Sequence, residues 1–561
     1  MKKCPQCGRE YDNTMSFCLD DGSELLYGPA DEPKTAMLHE TAPSEAATRA
    51  QIHTTEKTAV LPSGLSNAAS AKTLNKWLLL APMILCIIAL GGIFGYRYLN
   101  SSSRQIESIA VMPFANESGN PDSEYLSDGL TESLIYRLTQ LPNLKVSPRS
   151  SVIPYKGSLA DVAEVAKKLE VDAVMTGRLV QRGDDLTISV ELIDAASKKL
   201  IWAEQYARKM SDLLATQREI ASVVAQKLQL KLSGNEAGLT KQYTNDNEAY
   251  QLYLKGRFFW NKRTPEATQK AIEQFKAASE KDPNFALAYV GIADSYLVGT
   301  YSMQGQDKDA ITQAKTYATR ALEIDPSLAE PQASLGLANA YLWNWAEAEK
   351  YFKRSIELNP NYPTSRHWYS RLLRTLGRDD EAFEQIKLAK KLDELSVSIS
   401  NNVAEVLRAR GDILGSIEEA RRGIEISPHW TAYRTLANCY LRLGQKDEAL
   451  QNAKKSVEVA NGLPVALKVL GYVQSQLGNR SEAVAIAKQI EAEFAKGQID
   501  ARDVAVAYAG LGENDKVFEW LEKDFQSHNL SLLELRMEVP LTPLRNDPRF
   551  QDLLRRMNMP D

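Results

Sequence analysis

The sequence predicts a multidomain chain. A small zinc ribbon comes first, then one transmembrane helix, an α/β domain, and an all-α solenoid of helical repeats. Three observations carry this. Glycines at positions 377, 411, 444, 478 and 512 each follow Leu or Arg. They recur with a period of about 34 residues, the size of one supersecondary unit. Between Ile106 and Leu232 strand-like and helix-like patterns alternate. Ahead of them, the run from Trp77 to Tyr96 carries no charge. A length of 561 residues allows about three to five structural units. Lys plus Arg number 67 against 72 for Asp plus Glu, a net charge of −5. That balance is no footprint for non-specific nucleic-acid binding, and no nucleic-acid partner is expected. Five cysteines exclude a disulfide scaffold, and five histidines leave little for metal or acid–base chemistry.

Residues 1–26 hold Cys4, Cys7 and Cys18. The Cys4-Pro-Gln-Cys7 spacing lets two thiolates reach one ion, and Gly8 permits the tight turn behind them. Cys18-Leu-Asp-Asp21 follows further on. This segment resembles the short zinc-ribbon heads of bacterial proteins. The resemblance implies one structural Zn²⁺ held by Cys4, Cys7, Cys18 and Asp21, with Asp21 standing where a four-cysteine ribbon has its last thiolate. A unit this short usually needs a metal or a disulfide to fold; the alternative is a degenerate ribbon without metal. Residues 27–73 are rich in Ala, Ser, Thr and Pro without apolar period and read as a flexible linker. His39 and His53 within it are too isolated to be ligands.

Residues 77–96 are long enough, as a helix, to span a hydrocarbon core of about 30 Å. Trp77 and Tyr96 stand at its two ends, where interfacial aromatics belong. With the polar segment 1–76 ahead of it, the run reads as a signal anchor rather than a cleaved leader. Flanking charge does not orient it: Lys72 and Lys76 precede, Arg97 and Arg104 follow. Cysteine usage does. Three candidate metal thiolates precede the helix and only Cys439 follows it, which fits a reducing side before and an oxidising side after. The expected localisation is the inner membrane, single-pass, with residues 1–76 cytoplasmic and 97–561 exported.

Residues 106–235 form the α/β domain. Ser108–Phe114 is a buried-strand run, and Asn116–Asp122 is turn chemistry. Leu126–Leu141 and Leu159–Leu169 carry helical apolar periods, with Leu144–Val146 a strand between them. Ala173–Val180 and Leu186–Ile193 flank Arg182-Gly-Asp-Asp185 as a hairpin. Leu200–Tyr206 is a further strand and Leu213–Leu232 a closing helix. The acids Asp122, Glu124, Asp128 and Glu132 gather at the first helix start, where they read as partners of its dipole. The phrases IAVMPFANESGNPDSEYLSDGLTESLIYRL and DAVMTGRLVQRGDDLTISVELIDAASKKLIWAEQY resemble the TolB N-terminal-like, or FlgO-like, domain of bacterial envelope and membrane-sensor proteins. The resemblance implies a non-catalytic module outside the cytoplasmic membrane. No GxSxG, HExxH or GxxxxGK[ST] motif occurs in the chain, and no catalytic residue is expected.

Residues 247–529 carry the repeats. Five positions after the five glycines stand Ala382, Ser416, Ala449, Ala483 and Val517, which let the second helix of each unit approach the first. Pro283, Pro326, Pro360 and Pro428 close repeats, and Glu394 replaces a proline at a softer joint. The pattern resembles tetratricopeptide repeats, about eight of them, and implies a right-handed solenoid with a concave groove. Residues 530–561 read as its C-terminal cap, with Phe550, Leu553, Leu554 and Met557 forming an apolar stripe. Aligning the repeats on the family's groove positions places Arg371, Arg374, Arg408, Arg434, Arg442, Lys468 and Arg502 on the concave face, against two acids, Glu330 and Glu405. Arginine forks suit carboxylates, so the groove is expected to take an acidic protein or peptide segment; the alternative is a solvated basic face. The function expected is that of a non-enzymatic, membrane-anchored interaction scaffold. The competing function is a single-pass sensor passing a ligand signal to the ribbon.

Overall fold

The computed structural model describes residues 2–3, 10–11, 26–27, 106–141, 143–157, 161–228, 241–302 and 308–559. Two compact units, Met1–Phe94 and Gly95–Asp561, divide the chain. In the first, the strands β1 (Lys2–Lys3), β2 (Glu10–Tyr11) and β3 (Leu26–Tyr27) pair antiparallel in the order β2-β1-β3. The expected zinc ligands Cys4, Cys7, Cys18 and Asp21, and the expected membrane span 77–96, lie outside the described residues. Among the described residues no helix is long and apolar enough to cross a membrane.

The second unit opens with an α/β region. Its strands are β4 (Ser108–Val111), β5 (Ala115–Asn116), β6 (Lys145–Val146), β7 (Ala173–Arg182), β8 (Asp185–Asp194) and β9 (Leu200–Lys209). They form a mixed sheet in the order β6-β4-β7-β8-β9, with β5 beside β7. β4 runs parallel to β6 and β7, which the intervening helix Glu124–Thr139 makes possible as a crossover. β7, β8 and β9 are antiparallel neighbours. Gly183 turns the β7–β8 hairpin at φ 62°, a conformation glycine adopts without strain. Along β8 buried and half-buried residues alternate, with Leu186, Ile188, Val190 and Leu192 inward. Helices Glu124–Thr139 and Leu213–Lys227 supply the other side of that core through Leu126, Leu130, Leu134, Ile220 and Val224.

Eight helical hairpins follow among the described residues. The first helix (A) and second helix (B) of each are Asn247–Trp260 with Pro265–Lys281, Ala286–Ser302 with Lys308–Ile324, Glu330–Tyr341 with Trp345–Leu358, Pro363–Thr375 with Asp379–Leu392, Val397–Ala409 with Ile413–Ile426, Trp430–Arg442 with Lys446–Val459, Leu467–Gln476 with Arg480–Ala495, and Ala501–Leu511 with Asn514–Gln526. Gly377, Gly411, Gly444, Gly478 and Gly512 end their A helices at φ between 74° and 88°, the left-handed residue a helix end favours. One period before Gly377 stands Trp343, which adopts φ 60° without being glycine. Its ring stacks on His528 at 3.7 Å and near Phe525 at 5.5 Å, so packing holds a conformation that local propensity disfavours.

The α/β region is fastened to the solenoid. Gly129 of helix Glu124–Thr139 sits against Leu254, where an added Cβ would stand 2.8 Å from the leucine Cδ2. The acids of that helix do more than face its dipole, which corrects the sequence reading. Glu132 accepts from Arg257 Nε at 2.6 Å and Asn261 Nδ2 at 2.8 Å, both in the first repeat. Asp128 accepts from Lys156 Nζ at 2.5 Å and pairs with Arg149, and Glu124 pairs with Lys156. The joint expected to be soft at Glu394 is tied instead. Lys145 pairs with Glu394 at 3.1 Å, and Ser150 and Ser151 donate to Asp393 at 2.5 and 3.0 Å.

Candidate functional site

The predicted basic residues stand on the A helices of the fourth to eighth hairpins, whose inner face is the expected groove. The sequence reading leaves this groove open to solvent. The structure runs the chain's own segment 530–544 along it, as two 3₁₀ turns, Leu530–Glu534 and Val539–Leu544. Leu532, Leu535 and Leu541 of this strap are fully buried. Each buried leucine is worth about 1.5–3 kcal/mol, so the strap is anchored by its apolar side. Its polar side brings Glu534 and Glu538, one helical turn apart in sequence, to the arginines.

Arg502 is the hub. Its Nη1 donates to Glu534 Oε2 at 2.8 Å and to the Ser531 carbonyl at 3.1 Å, and its Nη2 to Asp503 Oδ1 at 2.8 Å. Lys468 Nζ bridges Asp503 at 2.7 Å and Glu538 at 2.9 Å. Arg371 reaches Glu534 at 3.4 Å. Arg374 is buried and donates to Glu405 at 2.8 Å and to Asn402 at 3.1 Å, and Arg434 takes the other oxygen of Glu405. Among the described residues, the hydrogen bond of Arg408 is a long one to the Met537 carbonyl, at 3.5 Å. Arg442 is exposed. Thr375 Oγ1 and Arg536 Nη1 add hydrogen bonds between strap and fourth hairpin, to the carbonyls of Leu533 and Leu376.

The electrostatics follow from these contacts. Burial alone would raise the carboxyl pKa of Glu534. The charges of Arg502, Arg371, Arg434 and Lys468 outweigh it and hold the group well below the usual carboxylate range. Burial opposes ionisation of Glu405 in the same way, and Arg434 and Arg374 bring it down to about 2. Asp503 is lowered against its burial by Lys468 and Arg502. Buried carboxylates in this state are strong acceptors for charge-assisted hydrogen bonds. No group of three or more His, Cys, Asp or Glu suited to a metal ion occurs among the described residues.

The sequence reading expects all seven basic residues on the concave face; in the structure Arg371, Arg408, Lys468 and Arg502 contact the strap, Arg374 and Arg434 hold Glu405, and Arg442 is exposed. That reading misses the partners Glu534 and Glu538. The available signal is the segment LSLLELRMEV, whose two glutamates recur at a helical spacing among leucines. The cap residues Phe550, Leu553, Leu554 and Met557 are all buried, on or just after helix Pro548–Arg556. This segment reaches back to the third hairpin, where Trp345 Nε1 donates to the Met557 carbonyl at 2.9 Å.

Comparisons with known proteins agree with this division. Residues 104–223 match a family model described as HilA/YgeH-like transcriptional regulator, second domain. That segment is the one the sequence reading likens to a TolB N-terminal-like domain; the matching model carries the other description. Residues 431–462 match a tetratricopeptide repeat model. "Putative adenylate cyclase 3" of Rhizobium meliloti is 32% identical over 238 residues, 42% of this chain and 40% of that protein. The transcriptional regulator HilA of Salmonella paratyphi A is 24% identical over 292 residues, 51% of each chain. The chain thus spans about half, or less, of the curated relatives it matches. Among solved structures, YrrB, "a TPR protein with an unusual peptide-binding site", aligns with a TM-score of 0.27 at 18% identity, over 34% of this chain and 95% of its own. The chain carries an α/β region followed by a helical repeat solenoid, within which residues 431–462 match the tetratricopeptide repeat model.

Proposed function

We propose that the chain is a non-enzymatic, membrane-anchored scaffold whose exported TolB-like and repeat domains collect partner proteins through the basic groove. One observation supports the groove reading above the others. The groove already binds an acidic segment, its own strap, through Arg371, Arg502 and Lys468. The recognition chemistry is therefore carboxylate on guanidinium and ammonium, presented on an apolar backing. The names of two relatives, a cyclase and a transcriptional regulator, differ in output while sharing part of their length with this chain. A module common to proteins of different output suits assembly or reception better than catalysis. In this reading residues 77–96 anchor the chain in the inner membrane with residues 1–76 cytoplasmic, and Cys4, Cys7, Cys18 and Asp21 hold a structural Zn²⁺.

A photo-crosslinking residue at Gln476, exposed at the groove rim, tests the groove reading against one at Glu418, exposed on helix Ile413–Ile426. A discrete crosslinked protein from Gln476 and none from Glu418 is the expected result; equal capture from both sinks the groove. Alkaline phosphatase fused after Asp561 is expected to be active, and an inactive fusion on a full-length protein reverses the orientation. Metal analysis of the chain purified without chelator is expected to give about one zinc per molecule, and a tenth of that or less removes the zinc site.

A further inference from the structure

The sheet of the α/β region has two unequal edges. One is β6, two residues long. The other is β9, ten residues from Leu200 to Lys209 without a proline. Among the described residues no strand pairs with the outer side of β9. Ala203, Glu204, Gln205, Ala207, Arg208 and Lys209 are exposed along it. Natural sheets usually blunt such edges by shortness, bulges, proline or a covering element. The irregularity of β9 lies near its start, opposite Leu192 and Ile193, and leaves the stretch from Trp202 onward regular. Its pairing with β8 fixes which backbone groups are free. Met210 donates its N–H to the Asp184 carbonyl at 2.9 Å, one step beyond the Asp185–Lys209 pair. In an antiparallel ladder, hydrogen-bonded pairs come at every second position. Trp202, Glu204, Tyr206 and Arg208 therefore turn their N–H and C=O to β8, and Ala203, Gln205, Ala207 and Lys209 turn theirs outward. Side chains alternate between faces with the same period. Tyr206 is buried on the core side, and Glu204 and Arg208 flank it on that face.

This free edge is its own complement. Two copies of β9 can pair antiparallel about a twofold axis only in registers that set outward residue against outward residue. An axis at Glu204 sets that carboxylate against its own copy, which is repulsive. An axis at Gln205 sets no charge against a charge. An axis at Tyr206 sets Glu204 opposite Arg208 on both sides of the twofold. Gln205 then bonds Ala207, and Ala203 bonds Lys209, through the outward backbone groups. Glu204 lacks a cation of its own: it makes no ion pair among the described residues and accepts from the Tyr206 hydroxyl at 3.2 Å. Arg208 reaches Glu219 at 3.2 Å, but both side chains are well exposed, and such pairs hold weakly. Its Nη1 rests on the outward Ala207 carbonyl at 3.2 Å. Turning that guanidinium to a second copy's Glu204 frees the carbonyl for the strand that arrives with it.

We propose that β9 is a dimerisation edge: two copies of this chain join their sheets antiparallel through β9, centred on Tyr206, with Glu204 and Arg208 paired across the axis. This goes beyond the groove reading and does not depend on it, because the edge belongs to the α/β region. A second copy is favoured over a foreign strand by the charge pattern, which complements itself in that one register. Strand pairing alone buries less surface than a tight soluble interface, so the dimer is weak and concentration-dependent.

The test is sedimentation velocity on the full chain in detergent micelles across a protein concentration series. The wild type is expected to pass from monomer to dimer as concentration rises. Glu204→Arg and Arg208→Glu each set like charges across the axis and should raise the dissociation constant about tenfold. Glu204→Arg combined with Arg208→Glu exchanges the signs and should return to wild-type affinity. Both residues are exposed, so the variants read association rather than folding, and circular dichroism checks this. Gln205→Cys with Ala207→Cys stands within disulfide reach in this register, about 5.5 Å between Cα atoms. Mild oxidation should link that variant into a dimer well above the background of the wild type with its own five cysteines. A dimer that ignores the charge reversals, or that the combined variant fails to recover, forms through another surface and overturns the proposal. A wild type that stays monomeric overturns it too: slow amide exchange at Gln205 and Ala207 then means that a segment of the same chain covers the edge, and fast exchange means that the edge is solvated.

Discussion

Two clusters of buried carboxyl groups differ in their surroundings: one, in the second and third hairpins, lies among phenols, and the other, under the strap, lies among guanidiniums. Asp294 and Glu330 belong to the first kind. Asp294 accepts from Ser334 Oγ at 2.6 Å, and one oxygen of Glu330 has no hydrogen-bond partner. Burial raises both pKa values, and that of Glu330 is pushed up to about 7, with repulsion from Asp294 adding to it and Tyr136 and Arg257 opposing. Tyr136, Tyr243, Tyr253 and Tyr362 are raised in the same neighbourhood, each first by burial. Glu405, Asp503 and Glu534 belong to the second kind and are lowered by their arginines and lysine. Burial costs a carboxylate in both places. The difference is whether a cation is close enough to reverse the sign, and it gives the two clusters opposite responses to pH; Asp524 of the last hairpin, raised by burial to about 7, responds as Glu330 does.

The largest effect that would break this contrast lies at Arg502. Replacing it with methionine leaves Asp503, Glu534 and Glu538 without their shared cation. A buried pair broken on one side costs about 3–5 kcal/mol, so the urea midpoint at pH 7 should fall sharply. A loss under about 1 kcal/mol, the worth of an exposed pair, would mean that the strap is held by its leucines alone.

A smaller effect separates the two clusters by pH. The folded pKa of Glu330, about 7, lies above its ordinary value of 4.5. The folded state therefore holds the proton more tightly between those values, and stability falls as pH rises from about 4.5 to 7. Glu330→Gln removes that loss. It should stabilise the chain at pH 8 by on the order of 2–3 kcal/mol and leave it nearly unchanged at pH 4. Glu405 behaves inversely: its stabilisation is present above 4.5 and is lost as pH falls toward 2. Glu405→Gln should accordingly destabilise at pH 7 and not at pH 2. Chemical denaturation across these pH values checks both signs, and parallel responses of the two variants would erase the contrast.

The smallest effect sharpens it from outside the groove. Arg410 pairs with Asp380 at 2.8 Å, but the Asp380 side chain is 88% exposed. Exposed pairs are worth about 0–1 kcal/mol. Arg410→Ala should barely move the thermal midpoint, and a clear drop would show that its stacking on the Phe383 ring matters more than the charge pair.

The hairpins are legible in the sequence because their signal is local and repeated. A glycine at a left-handed helix end and a small residue five positions later each report on their own neighbourhood. The strands β7 and β8 are legible for the same reason, through alternation and a Gly-Asp turn. What stays hidden is long-range. Glu534 lies 163 residues from Arg371, and no periodicity links them. Helix acids such as Glu132 look alike whether they face solvent or an arginine 125 residues on. Asn116, in the short strand β5, reads as turn because that strand gains its pairing only from β7.

The contact of Trp345 with Met557 has a mechanical consequence. An open array of repeats behaves as a spring: units fray from the ends and the pitch adjusts to what it holds. Here the third hairpin, the last hairpin and the final helix share one core, which runs from Ala340 through Ala382 and Leu511 to Met559. That closure turns the spring into a hoop. A hoop has no free C-terminal end from which to fray, so amide exchange in helix Asn514–Gln526 should be as slow as in the middle repeats, and the curvature of the groove is fixed before any partner arrives.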